Sequence, residues 1–285
     1  MTVNCKRIGK TFAAEVHGLD LRGGIEADMA AEIDDALATH GVLVFRNQGL
    51  DDDSQQAFIE KFGPPVVTNF KEIATGHPHF YDVGTVNSEG KPIPEDSVKG
   101  QYLLANQLWH TDGSQNQPPI RVTALHARVL PPVPPPTEYA DMRAAWQDLP
   151  RETQDEILGL MVEHSIYWSR SKIGMSMSDF SAETLTARQP VQHPLVRTHA
   201  LNALKSLYLA SHASHVIGWP VEKGRALIER LTAHATQAKY VYAHQWQPHD
   251  LVMWDDTWTM HRSTPYKEKH PRMMRWCGVR ELEPV

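Results

Sequence analysis

The chain is poor in cysteine, with only Cys5 and Cys277 in 285 residues. Two thiols so far apart make no spaced metal cluster, and a disulfide scaffold is not expected at this length. No stretch approaches the roughly 20 consecutive apolar residues of a membrane span. The opening Met1-Thr2-Val3-Asn4-Cys5-Lys6-Arg7 has no apolar run behind its charges, so no secretory signal is read there. Basic charge is not in excess either. The formal net charge is -6 with both signs interspersed, which argues against a nucleic-acid-binding face. Internal repeats are absent. These absences point to a cytoplasmic protein with free thiols, no nucleic-acid partner and no membrane partner. What is present is 41% hydrophobic and 22% charged sequence, an ordinary globular balance with enough apolar content for a substantial core.

Periodicity predicts the elements. Met29, Ile33 and Leu37 recur at helical spacing over Ala27 to His40, and Gly41 can end that helix. Val42 to Phe45 reads as a buried strand. Asp51 to Ser54 offers caps for a second helix carrying Phe58 and Phe62 and ending near Gly63-Pro64. Strands are predicted at Val122–Val129, Leu195–Thr198, Ser206–Leu209, Leu251–Trp254, Thr257–His261 and Arg272–Val279. Further helices are predicted over Asp141–Gln147, from Pro150 to about Met161, and over Val221–Ala235. Segments 68–105 and 166–192 read as irregular, the kind of long loop that serves as a lid or binding loop. Pro131 to Pro136 is a stiff connector. It is taken as internal, because candidate metal ligands lie on both sides of it. Short strands between turn signals indicate a mainly β architecture with flanking helices, an antiparallel sandwich or barrel in one domain, 1–285.

The chemistry concentrates at His110-Thr111-Asp112 and at His261. Side chains at i and i+2 of a strand share a face, so His110 and Asp112 can point inward together while Thr111 points away. His261 comes from a separate predicted strand. Two imidazoles and one carboxylate are the facial set that holds Fe(II) and leaves the opposite positions for a chelating acid and O2. Arg272 follows at short reach, and a fixed guanidinium beside a metal suits an anionic co-substrate.

The segment Asn106-Gln107-Leu108-Trp109-His110-Thr111-Asp112 resembles the iron-binding motif of the Fe(II)/2-oxoglutarate-dependent dioxygenases of the TauD/TfdA family. Similar strings run the length of the chain: His17 to Leu21, Gly41 to Arg46, Phe62-Gly63-Pro64, Thr137 to Trp146, His193 to His199, Gly218-Trp219-Pro220, Asp250 to Asp255 and His261-Arg262. Asp141 to Ala145 and Ala213 to Val216 are similar to the phenoxyacetate-type branch in particular. The resemblance implies a double-stranded β-helix (jelly roll), with iron held by His110, Asp112 and His261. It implies that Arg272 pairs with the distal carboxylate of 2-oxoglutarate, assisted by Thr137, and that Asn106 lies near the primary substrate. It also implies hydroxylation of a small organic acid, with succinate and CO2 as co-products and cleavage where the new hydroxyl sits beside an ether oxygen or a sulfonate. A homo-oligomer, dimer or tetramer, is a further implication. Asp112 argues against a halogenase, which vacates the carboxylate position for halide.

One departure stands out. Many relatives carry a second arginine four residues after the co-substrate arginine, and here that residue is Trp276. Strand alternation puts Arg272, Met274 and Trp276 on one face and Arg275 on the other. Trp276 then either packs in the core or lines a pocket suited to an aromatic acid such as an aryloxyalkanoate. The substrate's anionic group falls to Lys71, Arg197, His199 or Arg170. His212 and His215 read as supporting residues, since the triad is complete without them. Met175, Met177, Trp168 and Phe180 are lid or core residues. Three other readings are weighed: an alkylsulfonate or alkylsulfate dioxygenase of the same family, a zinc hydrolase, and a non-catalytic small-molecule sensor.

Overall fold

The computed structural model describes residues 3–67, 77–87, 89–266 and 270–282. It is mainly sheet with helices. A seven-stranded sheet runs in the order Asn4–Arg7, Ala14–His17, Val42–Phe45, Leu251–Asp255, Ile120–Val129, Met273–Arg280, Tyr81–Gly84. Its pairings are antiparallel except between Ala14–His17 and Val42–Phe45. A three-stranded sheet orders Val241–His244, Thr137–Asp141, Thr259–Ser263. A second three-stranded sheet and a two-stranded ribbon lie beyond it.

Side-chain alternation on the central strands explains the layering. Leu251, Met253, Ala124, Cys277 and Val279 join one apolar cluster with Ile33 and Leu37 of the helix Ala27–His40 and Phe58 of the helix Asp52–Ile59. Their neighbours Val252, Trp254, Leu125, Met274 and Trp276 join a different cluster. That second cluster contains Tyr139 from the small sheet, whose ring meets Trp254 edge-on at 5.4 Å. The large sheet therefore has helices on one face and the small sheet on the other. The space between the two sheets is where the candidate site forms.

Local signals explain the element ends. Gly41 stops the first helix at φ 71° with its N–H on the Leu37 carbonyl. Asp51 and Ser54 form a reciprocal capping box at the start of the second. Val221–Ala235 is helical as expected and buries Leu227, Ile228, Leu231 and Ala235. Two expectations are corrected. The helix after Pro150 spans Arg151–Ile157 only, and Met161–His164 is a strand. Gly159, at φ 89°, turns the chain between them. The described parts of the two irregular segments hold short elements: Tyr81–Gly84 and Val98–Ala105 in the first, and Ile166–Ser171, Ala182–Ala187 and Val191–Pro194 in the second. Six-residue helices rest on single serine caps, Ser165 and Ser181, and are too short to show a period. Among the described residues, no helix is long and apolar enough to cross a membrane.

Candidate metal centre and anion seats

His110 and His261 are directly opposed across an antiparallel bridge. The His110 N–H donates to the His261 carbonyl at 2.9 Å and the His261 N–H to the His110 carbonyl at 2.8 Å. Directly opposed residues present their side chains on one face, and the two ring centroids are 4.1 Å apart. Asp112, two residues on, projects the same way. Its carboxylate Oδ1 lies 3.5 Å from His110 Nε2 and 3.9 Å from His261 Nε2. Thr111 points away and donates to the Leu209 carbonyl at 2.9 Å. Gly113 follows at φ 64°, and a Cβ there would meet Ile120 Cγ1 at 2.3 Å. Only glycine lets the chain leave Asp112 in that direction.

The donor set fits a single divalent metal. The three ligand atoms lie within 4.8 Å of one another. His110 Nδ1 is 2.7 Å from the Leu108 carbonyl, which can only accept. That nitrogen therefore carries the proton, leaving the Nε2 lone pair free. Burial, reinforced by His110, pushes the His261 imidazole down to about 3, so it stays neutral as a ligand must. Burial alone would raise the Asp112 carboxyl, but His261, His110 and the Trp276 indole together hold it below the usual carboxylate range.

Asp112 is fixed from three sides. Trp276 Nε1 donates to Oδ2 at 2.8 Å, the Thr123 hydroxyl is 3.3 Å from the same oxygen, and the Asp112 N–H donates to Asp256 Oδ1 at 3.0 Å. Asp256 is buried and also accepts from Thr123 and Trp254. Burial and the adjacent Asp112 push its carboxyl well above the usual range. Asp256 has no local pattern to mark it beyond an acid set in the apolar run around Trp254 and Trp258.

The triad opens into a cavity of about 1030 Å³. Thr137, Arg272, Asn106 and Trp276 all line it. The Arg272 guanidinium is buried, its Nε has no hydrogen-bond partner among the described residues, and burial pushes it down to about 10. A buried cation without a counter-charge is costly unless an anion meets it. Thr137 Oγ1 accepts from Trp246 Nε1 at 3.0 Å, which fixes the rotamer of the hydroxyl. The alternation read from the sequence places its residues as expected. Trp276 lines the cavity and stacks on Tyr81 with centroids 4.1 Å apart, while Arg275 does not line it and pairs with Asp52 and Asp82.

The structure brings other candidates elsewhere. Arg197 is spent on Glu281 at 2.6 Å and His199 on Asp255 at 2.9 Å, and neither lines the cavity. Lys71 lies outside the described residues. His212 lines the cavity and contacts the Ser114 hydroxyl at 3.0 Å, whereas His215 faces Glu163. Of the 166–192 segment, Met175, Met177, Trp168 and Phe180 do not line the cavity; Arg170, Thr184 and Arg188 do.

Such a site has the make-up of a mononuclear metal centre beside a buried guanidinium open to the same cavity. Comparison with known proteins agrees. Residues 4–277 match the family described as taurine catabolism dioxygenase TauD, TfdA family. The chain is 39% identical over 279 residues to the alpha-ketoglutarate-dependent 2,4-dichlorophenoxyacetate dioxygenase of Cupriavidus pinatubonensis, covering 96% of each chain. It is 31% identical over 289 residues to the (S)-phenoxypropionate/alpha-ketoglutarate-dioxygenase of Delftia acidovorans, covering 99% of this chain and 97% of the relative. Among solved structures, that of AAD-2 in complex with Mn(II) and N-oxalylglycine superposes with a TM-score of 0.91 at 39% identity, covering 100% of this chain and 98% of the other. The chain belongs to the TauD/TfdA family and is a dioxygenase, an oxidoreductase, as its motifs implied.

Proposed function

We propose that the protein is an Fe(II)/2-oxoglutarate-dependent dioxygenase, a single domain built on a double-stranded β-helix, that hydroxylates an aryloxyalkanoate or related aromatic acid. The observation that carries this reading is one cavity holding both the convergent His110, Asp112 and His261 atoms and the buried Arg272, which has no carboxylate partner among the described residues. His110, Asp112 and His261 would hold the iron. When bound, iron with 2-oxoglutarate and O2 supplies the oxidising power, and succinate and CO2 leave as co-products.

The chain's own residues do the rest. Arg272 pairs with the distal carboxylate of the co-substrate, and the Thr137 hydroxyl adds a hydrogen bond. Asn106, at the end of the helix Val98–Ala105, lines the approach for the primary substrate. Trp276 and Tyr81 form a stacked aromatic wall that suits an aromatic ring through offset or edge contacts. That wall favours an aryl acid over an alkyl sulfate or alkylsulfonate. It also occupies the place where a second arginine would grip a small sulfonate.

The test is succinate release by the purified protein with Fe(II), ascorbate and 2-oxoglutarate, across a panel of aryloxyalkanoates and alkyl sulfates. Substrate-dependent succinate with the aryl acids supports the reading. Stimulation by the alkyl sulfates alone overturns the substrate class. Equal activity in Zn(II)-loaded enzyme, or in His110→Ala, overturns the mechanism.

A further inference from the structure

Four arginines line the cavity among the described residues: Arg170, Arg188, Arg272 and Arg280. Two of them are buried, Arg170 and Arg272, each 7% exposed. Both leave Nε without a hydrogen-bond partner. Arg197, the other buried arginine with an unpartnered nitrogen among the described residues, already holds a carboxylate. Arg170 holds none among the described residues. Its Nη1 meets its own neighbour, Ser169 Oγ, at 3.2 Å, the Tyr102 hydroxyl is a second polar neighbour, and its guanidinium lies 4.4 Å over the Tyr102 ring. A guanidinium cannot shed its proton in this range, and a hydroxyl and a ring face do not balance a buried charge. Two buried guanidiniums without a carboxylate among the described residues, in one cavity, match a reaction that takes two acids. Arg272, beside Thr137, is accounted for by the co-substrate.

We propose that Arg170, from the helix Ile166–Ser171, seats the carboxylate of the primary substrate, the role that Trp276 has removed from the strand Met273–Arg280. The proposal rests on the dioxygenase reading above. The wall between Arg170 and the metal centre is continuous. Ser169 Oγ contacts Ser211 Oγ at 2.7 Å, and the next residue, His212, contacts Ser114, two residues from Asp112. Burial and the nearby Arg170 and His110 hold the His212 imidazole well below its ordinary range, so it is a neutral wall and does not compete for the anion. An acid anchored on Arg170 extends its aryl group across the cavity toward Trp276 and Tyr81. The Tyr102 face and the Ser169 hydroxyl hold the guanidinium plane in a set orientation, so its free edge can meet a carboxylate bidentately.

The experiment is calorimetric binding of phenoxyacetate and of its neutral analogue phenoxyacetamide to the Mn(II)-loaded protein, for wild type, Arg170→Met and Arg170→Lys. Arg170→Met keeps the apolar stem over Tyr102, and circular dichroism verifies its fold. The acid's Kd is expected to rise by about 30-fold or more in Arg170→Met, with a smaller loss for the amide. Arg170→Lys, which keeps the charge and loses the planar fork, is expected to fall between. The half-saturating 2-oxoglutarate concentration is expected to stay in place, because Arg272 is untouched. Acid binding unchanged in Arg170→Met, equal losses for acid and amide, or no phenoxyacetate binding to wild type each overturn the proposal. Wild type that binds the acid but, reloaded with Fe(II) and given 2-oxoglutarate and O2, forms no succinate overturns the dioxygenase reading instead, with the Arg170 seat still standing.

Discussion

Trp276→Phe isolates one hydrogen bond. Phenylalanine keeps an aromatic face for Tyr81, now stacked at 4.1 Å, but removes the indole N–H that meets Asp112 Oδ2 at 2.8 Å. Among the described residues, Thr123 is the other side chain near that oxygen, at 3.3 Å, and its hydroxyl is already 2.7 Å from Asp256. It is poorly placed to take over. A hydrogen bond to a charged group is worth about 1.5–3 kcal/mol net, and about 1.4 kcal/mol is a factor of ten. The carboxylate loses its orientation more than its charge, so metal affinity is expected to fall by about 10- to 100-fold, the usual effect of removing a group that orients a ligand. Anaerobic calorimetry with Mn(II) on wild type, Trp276→Phe and Trp276→Leu measures this. Trp276→Leu, which also loses the stacking, is expected to bind no better than Trp276→Phe. If Trp276→Phe binds Mn(II) within about threefold of wild type, under about 0.7 kcal/mol, the indole does not position Asp112 and the reasoning fails.

Arg272→Gln is expected to raise half-saturating 2-oxoglutarate by about 30-fold or more, because a buried cation–carboxylate pair loses one partner. A steady-state titration with succinate detection decides, and unchanged half-saturation would remove Arg272 from the co-substrate. Gly113→Ala is expected to abolish metal binding, since φ 64° is unfavourable and the new Cβ would meet Ile120 at 2.3 Å. Adding Ile120→Ala is expected to restore part of it by relieving the contact, and no recovery would mean that the backbone angle alone decides. Stability is expected to fall with acid. Burial, with Arg128 and Arg197 respectively, pushes His126 and His193 from 6.5 down to about 4. The unfolded chain takes up these protons first, so stability is complete above about pH 6.5 and declines as pH falls toward 4. Each shift is worth up to about 3 kcal/mol. Urea midpoints between pH 7 and pH 4.5 measure the decline, and a pH dependence undiminished in His126→Gln would show that His126 is not a source.

The elements most legible in the sequence were those written in neighbouring residues. Helix Val221–Ala235 declares itself because its buried residues recur at the helical period within the segment. The alternation from Arg272 to Trp276 foretold which side chains reach the cavity because a strand has only two faces. The short helices in 166–192 were illegible, since one serine cap and six residues offer less signal than an ordinary loop's serines and threonines.

The sequence by itself determined which residues could ligate a metal, the spacing of His110 and Asp112, and the candidate anion-binding arginine, Arg272. Tertiary structure decided the partners. Arg197 and His199 looked as available as Arg170, but chain path brought Glu281 to Arg197 across 84 residues and Asp255 to His199 across 56, and brought no carboxylate to Arg170 among the described residues. Trp276 reached Asp112 across 164 residues, so the residue in place of an arginine supports a candidate metal ligand. The physical reason is that a side chain's type sets what it can bond, while its counterpart depends on where distant strands and helices pack. A charge is free for a ligand only if the fold has left it unmatched.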